Sequence, residues 1–107
     1  MAFYLAQASY SAQTTAAMIK NPSDRSAVMR PLIEGMGGKL VGMWFAFGTY
    51  DIVAIAEMPD NVTSAALALA FGASGALSTY HTTPLLTMAE GVEAMKKAGS
   101  IPYQPPK

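Results

Sequence analysis

The chain has no cysteine, one histidine and few charges: Lys plus Arg total 7, Asp plus Glu total 7, and charged residues make up 13% of 107 positions. Without cysteine there is no disulfide, no thiolate nucleophile and no cysteine-ligated metal. The formal net charge is +0 and Arg25 and Arg30 are the only arginines. The clustered basic surface that follows a phosphate backbone is missing, so nucleic acid is not an expected partner. Long apolar runs are scarce as well. Asn61 to Ala89 holds no Asp, Glu, Lys or Arg, but its apolar stretch from Ala65 to Leu77 is broken by Gly72, Ser74 and Gly75, short of the about 20 residues a membrane span needs. Met1 to Gln7 carries no basic segment ahead of its apolar residues, unlike a secretory signal. A cytoplasmic location with no membrane partner is the expectation. Gly35 to Gly38 closes a helix instead of opening one, so no nucleotide loop is present and no cofactor is expected. One histidine without a spaced group of carboxylates leaves no three-ligand metal site within a single chain.

Apolar side chains are abundant, at 51% of residues with a mean hydropathy of +0.25, while charge falls well below the roughly 25% of ordinary soluble domains. At this length one core forms and a second does not. Residues 1–99 read as one domain, and residues 100–107, with Pro102, Pro105 and Pro106, as an extended arm. So thin a charged surface implies that another copy of the chain covers part of the apolar surface.

Phe3 to Tyr10 reads as a strand, and Ser11 as the N-cap of a helix over Ala12 to Lys20. Asn21-Pro22 interrupts that helix. Ser23 caps a restart with Val28, Leu32, Ile33 and Met36 on one face, kinked or shortened by Pro31 and stopped by Gly37-Gly38. Lys39 to Phe47 and Tyr50 to Met58 form two strands joined by a short Gly48-Thr49 hairpin. Both strands are apolar on both faces, so the sheet is expected to be covered twice. Asp60 caps a helix from Asn61 to Phe71, ended by Gly72 to Gly75, and Leu77 to Leu86 is a Thr-rich strand. Thr87-Met88-Ala89-Glu90 is a capping box, opening a short helix that carries Val92 and Met95 inward.

The order strand, helix, strand, strand, helix, strand is the split βαβ pattern of the α+β ferredoxin-like βαββαβ fold, with both main helices on one face of an antiparallel sheet and a short C-terminal helix added. The helices supply one cover. A second subunit, placed sheet to sheet, supplies the other.

Gly48-x-Tyr50-Asp51 at the hairpin resembles the signature of the GYD domain family. Pro22-x-x-Arg25, Gly37-Gly38-Lys39, Glu57-Met58-Pro59-Asp60 and Thr82-Thr83-Pro84-Leu85-Leu86-Thr87 followed by Glu90 extend the resemblance over nearly the whole chain. Pro31 and the proline-rich tail depart from it. The resemblance implies a ferredoxin-like chain of the dimeric α/β-barrel type, a homodimer or higher oligomer, and no particular reaction.

Two readings compete for the residues that can carry chemistry. In the plainer one, Asp51 accepts turn or strand amides, Gly48 supplies an unusual backbone conformation, and Trp44, Phe45, Phe47, Tyr4, Met36, Met43 and Met58 pack in core or interface. The protein is then an oligomer that binds a small apolar or aromatic molecule between the sheets, with Tyr50, Trp44 and His81 as its contacts. In the other, Asp51 or His81 transfers protons as the catalytic group of a cofactor-independent enzyme, isomerase or monooxygenase-like, acting on a small aromatic or carbonyl substrate. Strand alternation gives Tyr50 the parity of Ile52, Ala54 and Ala56, and Asp51 that of Val53, Ile55 and Glu57, so the two are expected on opposite faces, Tyr50 toward the intersubunit interior. Sedimentation at micromolar concentration is expected to show a species larger than the 11.2 kDa monomer; a monomer alone would refute the second cover.

Overall fold

A computed structural model describes residues 1–107. Strand β1 (Ala2–Tyr10) leads into α1 (Ala12–Lys20) and α2 (Ser26–Gly35), then β2 (Lys39–Phe45), β3 (Ile52–Met58), α3 (Asn61–Ser74), β4 (Leu77–Leu85) and α4 (Met88–Ala98). The strands form one open sheet in the order β2-β3-β1-β4, and every neighbouring pair is antiparallel. This is the ferredoxin-like arrangement, with its first helix in two pieces.

Local sequence starts each helix. The Ser11 hydroxyl accepts the Thr14 amide at 3.2 Å to begin α1. Asp60 accepts the Thr63 amide at 2.7 Å to begin α3, and this bond holds its carboxyl below the usual range. Thr87 and Glu90 close the reciprocal capping box of α4. The restart at α2 is set by Asp24, not by Ser23: the Asp24 carboxylate accepts both the amide and the hydroxyl of Ser26. Pro31 neither breaks nor shortens α2, which runs on to Gly35. Proline removes one amide bond, and the buried Ile33 side chain anchors the turn that follows. Gly72 likewise fails to stop α3, since an interior glycine costs only about 1 kcal/mol. The helix ends at Gly75, whose φ of 73° makes the left-handed cap.

Helix α2 packs on β2, α3 on β4 and β3, and α1 on β1. Between them and the sheet, Tyr4, Ile33, Leu40, Met58 and Leu67 form a small core. Only 7 of 107 residues are buried, so packing within one chain is thin. The chain leaves 7592 Å² accessible, whereas a compact monomer of its mass leaves roughly 5,700 Å². Its radius of gyration is 17.2 Å, against about 13 Å for a compact domain of this length. Helix α4 explains part of both differences. Val92 and Met95, expected inward, are exposed together with Met88, Ile101 and Tyr103, because α4 has no strand to pack on. The second face of the sheet has no cover within the chain.

The connection between β2 and β3 is also longer than the two-residue turn expected. Strand β2 stops at Phe45 and β3 starts at Ile52, which leaves residues 46–51 as a loop. Gly48 there has no left-handed φ, and a Cβ would meet nothing within 4 Å. Its expected conformational role is therefore absent. Gly38 is the demanding glycine: a Cβ would lie 2.5 Å from the Glu57 carbonyl oxygen and 2.8 Å from the Met58 sulfur. Gly38→Ala is expected to lower stability to urea by about 1–3 kcal/mol, and Gly48→Ala to leave it within about 0.5 kcal/mol. Equal effects would contradict the close approach of β2 to β3.

Candidate functional site

Four alanines decide where space opens in this molecule. Register places Ala6 opposite Ala54, Tyr4 opposite Ala56, and Ala8 opposite Ile52. Ala6, Ala8, Ala54 and Ala56 therefore lie together on the helix face of β1 and β3. Methyl groups fill less of the layer than larger side chains would, and a chamber of about 410 Å³ lies between the sheet and α1, α2 and α3. Met18, Met29, Ile33, Leu67 and Phe71 contribute to its helix side. Of its 26 lining residues 19 are hydrophobic, so the environment favours an apolar occupant.

The other 7 of the 26 lining residues are polar, Arg25 the one that carries a charge. The Tyr4 hydroxyl donates to Asn61 Oδ1. Tyr80 meets Phe71 edge to face at 5.3 Å, and burial pushes its hydroxyl above the usual phenol range. Burial does the same to Tyr10, against a smaller opposing pull from the Arg25 charge. Both tyrosines therefore stay neutral hydrogen-bonding groups at pH 7. Ser64, on the first turns of α3, is 7% exposed, and its hydroxyl has no hydrogen-bond partner. No carboxylate and no imidazole lines the chamber.

Tyr50, Asp51 and His81 are not among the chamber residues. His81, on β4, pairs with Gln7 of β1, its side chain on the face opposite Tyr80 and Thr82. Its ring meets that of Tyr50 edge to face at 5.6 Å. Tyr50 thus stands with His81, apart from Ile52, Ala54 and Ala56, because it sits in the loop and strand alternation does not extend to it. Asp51 is tied to the end of β1. Its carboxylate accepts the Tyr10 amide at 2.9 Å, its own amide donates to the Ala8 carbonyl at 2.9 Å, and its carbonyl accepts the Ala46 amide at 2.7 Å. Trp44 pairs with Val53, packs its ring across Gly42, and borders a smaller depression with Tyr10, Met18 and Arg25. The structure brings Tyr50 and His81 together and leaves Asp51 and Trp44 in separate settings. No three groups among His, Asp and Glu are placed to share a metal ion.

Ser64 and the alanine floor escape sequence reasoning. The signal for the floor is present, since Ala6 and Ala8 on one strand and Ala54 and Ala56 on another share parity. It becomes meaningful only with the register that joins them.

Residues 4–95 match the GYD domain family, and the chain belongs to that family. No curated protein and no solved structure matches it.

Asp51 has its bonds accounted for by backbone. Asp51→Ala leaves the half-buried Tyr10 amide without its acceptor and is expected to cost about 1–2 kcal/mol in urea unfolding. Asp51→Asn keeps an acceptor oxygen and should cost less. Unchanged stability in Asp51→Ala would refute the tie.

Proposed function

We propose that this GYD-domain chain works as an oligomer that binds a small apolar or aromatic molecule in the chamber between its sheet and α1, α2 and α3. The observation that carries the reading is the chamber: about 410 Å³, mostly apolar walls and a few hydrogen-bonding groups, within the range of small-molecule sites. The chain's own concave space lies on the helix face of the sheet, not on the face where two sheets were expected to meet. Self-association finds support in the uncovered sheet face, where Phe3, Leu5, Val53 and Ile55 are only half-buried, and in the roughly 1,900 Å² of accessible surface beyond that of a compact monomer. Each partner in a standard interface contributes about 800 Å².

Absence of carboxylate and imidazole from the chamber wall favours binding over proton transfer there. A proton-transfer role belongs to the Tyr50–His81 pair, on the opposite face, and would act on a molecule held outside the chamber.

An uncharged apolar fluorophore, N-phenylnaphthylamine, tests the reading. Wild-type protein is expected to bind it with enhanced emission. Ala54→Phe and Ala6→Leu, which fill the floor from two strands, should each weaken binding by about tenfold or more while keeping the far-ultraviolet circular dichroism of the folded chain. Equal binding by wild type and both variants would place the probe on the exposed sheet face or α4, and the chamber reading would fail.

A further inference from the structure

We infer that the molecule taken by the chamber is a planar aromatic compound bearing a carbonyl or hydroxyl oxygen, and that the Ser64 hydroxyl holds that oxygen. This rests on the chamber reading above and adds the chemistry of the ligand.

Two independent features point to it. The first is Ser64 itself, a buried side chain whose hydroxyl has no partner. Buried hydroxyls are costly unless bonded. Helical serines commonly return the hydroxyl to the carbonyl four residues back. Here the Asp60 carbonyl accepts the Ser64 amide at 3.2 Å, and the hydroxyl makes no such bond. The side chain lines the chamber. A serine hydroxyl both donates and accepts, so it serves a ketone oxygen as donor and a phenol as acceptor.

The second feature is shape. Ala6, Ala8, Ala54 and Ala56 give the sheet side of the chamber a patch of methyl groups, bordered by larger strand side chains such as Tyr4, Ile52 and Tyr80. Phe71 and Tyr80, packed edge to face on each other, bring aromatic surface to the chamber from α3 and β4, and aromatic surface pairs well with a ring. Met18, Met29 and Met58 complete the wall with flexible side chains that adapt to a ring's outline. An apolar disc with one oxygen at the α3 end satisfies both features. Tyr10, Tyr80, Arg25 and Thr82 also line the chamber, and the Ser64→Ala variant separates its hydroxyl from them.

Naphthalene, naphthol and acetylnaphthalene, compared by calorimetric titration on wild type and Ser64→Ala, provide the test. The two oxygenated compounds are expected to bind wild type about five- to tenfold tighter than naphthalene, the worth of one hydrogen bond. In Ser64→Ala that preference should fall to near unity while naphthalene binding changes little. Without ligand, Ser64→Ala should melt at the wild-type temperature or higher, because a buried hydroxyl without a partner is removed. No preference in wild type, a preference that survives in Ser64→Ala, or a lowered melting temperature in the free variant would overturn the role of Ser64 and leave the chamber reading standing. Failure of all three compounds to bind would overturn both.

Discussion

The register of β3 against β1 is the constraint on which the rest of this structure depends. With Ala6 opposite Ala54 and Tyr4 opposite Ala56, small side chains of both central strands face the helices. A slip of one residue exchanges the two faces of a strand. Val53 and Ile55 would then point at α1, α2 and α3, and their bulk would fill the space that four methyl groups leave open. Asp51 holds the register at the end where β3 begins, through the Tyr10 amide and the Ala8 carbonyl. Thus Asp51 stands outside the chamber and still ties down the strand that carries its floor.

That floor has an energetic consequence. Burial of a large aliphatic side chain contributes about 1.5–3 kcal/mol, and here few residues are buried, with Leu40 and Met58 the largest of those fully enclosed. Hydrogen bonds and caps hold the elements in shape: Ser11, Asp60 and the Thr87–Glu90 box each satisfy amides that a helix start leaves free. They do not replace packing. The sheet therefore has little packing of its own on either face, and the exposed apolar residues of α4 are a further region without a partner in the chain.

Much of this architecture is legible in the sequence, and the division follows distance along the chain. Caps at Ser11, Asp60 and Thr87 are read correctly because each pairs with a residue three positions on. Strand and helix order follows from apolar patterning, and the ferredoxin-like topology follows from that order. The 46–51 loop is not legible in the same way. Gly48-Thr49 looks like a tight hairpin, but the loop is held by Asp51 reaching the Tyr10 amide, 41 positions away in the chain. Met95 and Val92 show amphipathic spacing, which says that a helix has an apolar side without saying what that side meets. Tyr50 follows strand parity only if it lies in the strand. As a loop residue it turns instead to His81. Ser64 is a helix residue like any other until tertiary packing closes over it.

Strand β3 also links the two faces of the molecule. Ile52, Ala54 and Ala56 line the chamber, while Val53, Ile55 and Glu57 alternate onto the uncovered face. The same backbone carries both sets, so a molecule pressed on the alanines and a surface laid over Val53 and Ile55, as proposed above, would restrain one set of torsions. Conformational freedom removed by either need not be removed again by the other, and binding events related in this way favour each other reciprocally. Under the proposed function, occupation of the chamber and cover of the open face would therefore be linked through β3, the strand whose start Asp51 ties to the end of β1.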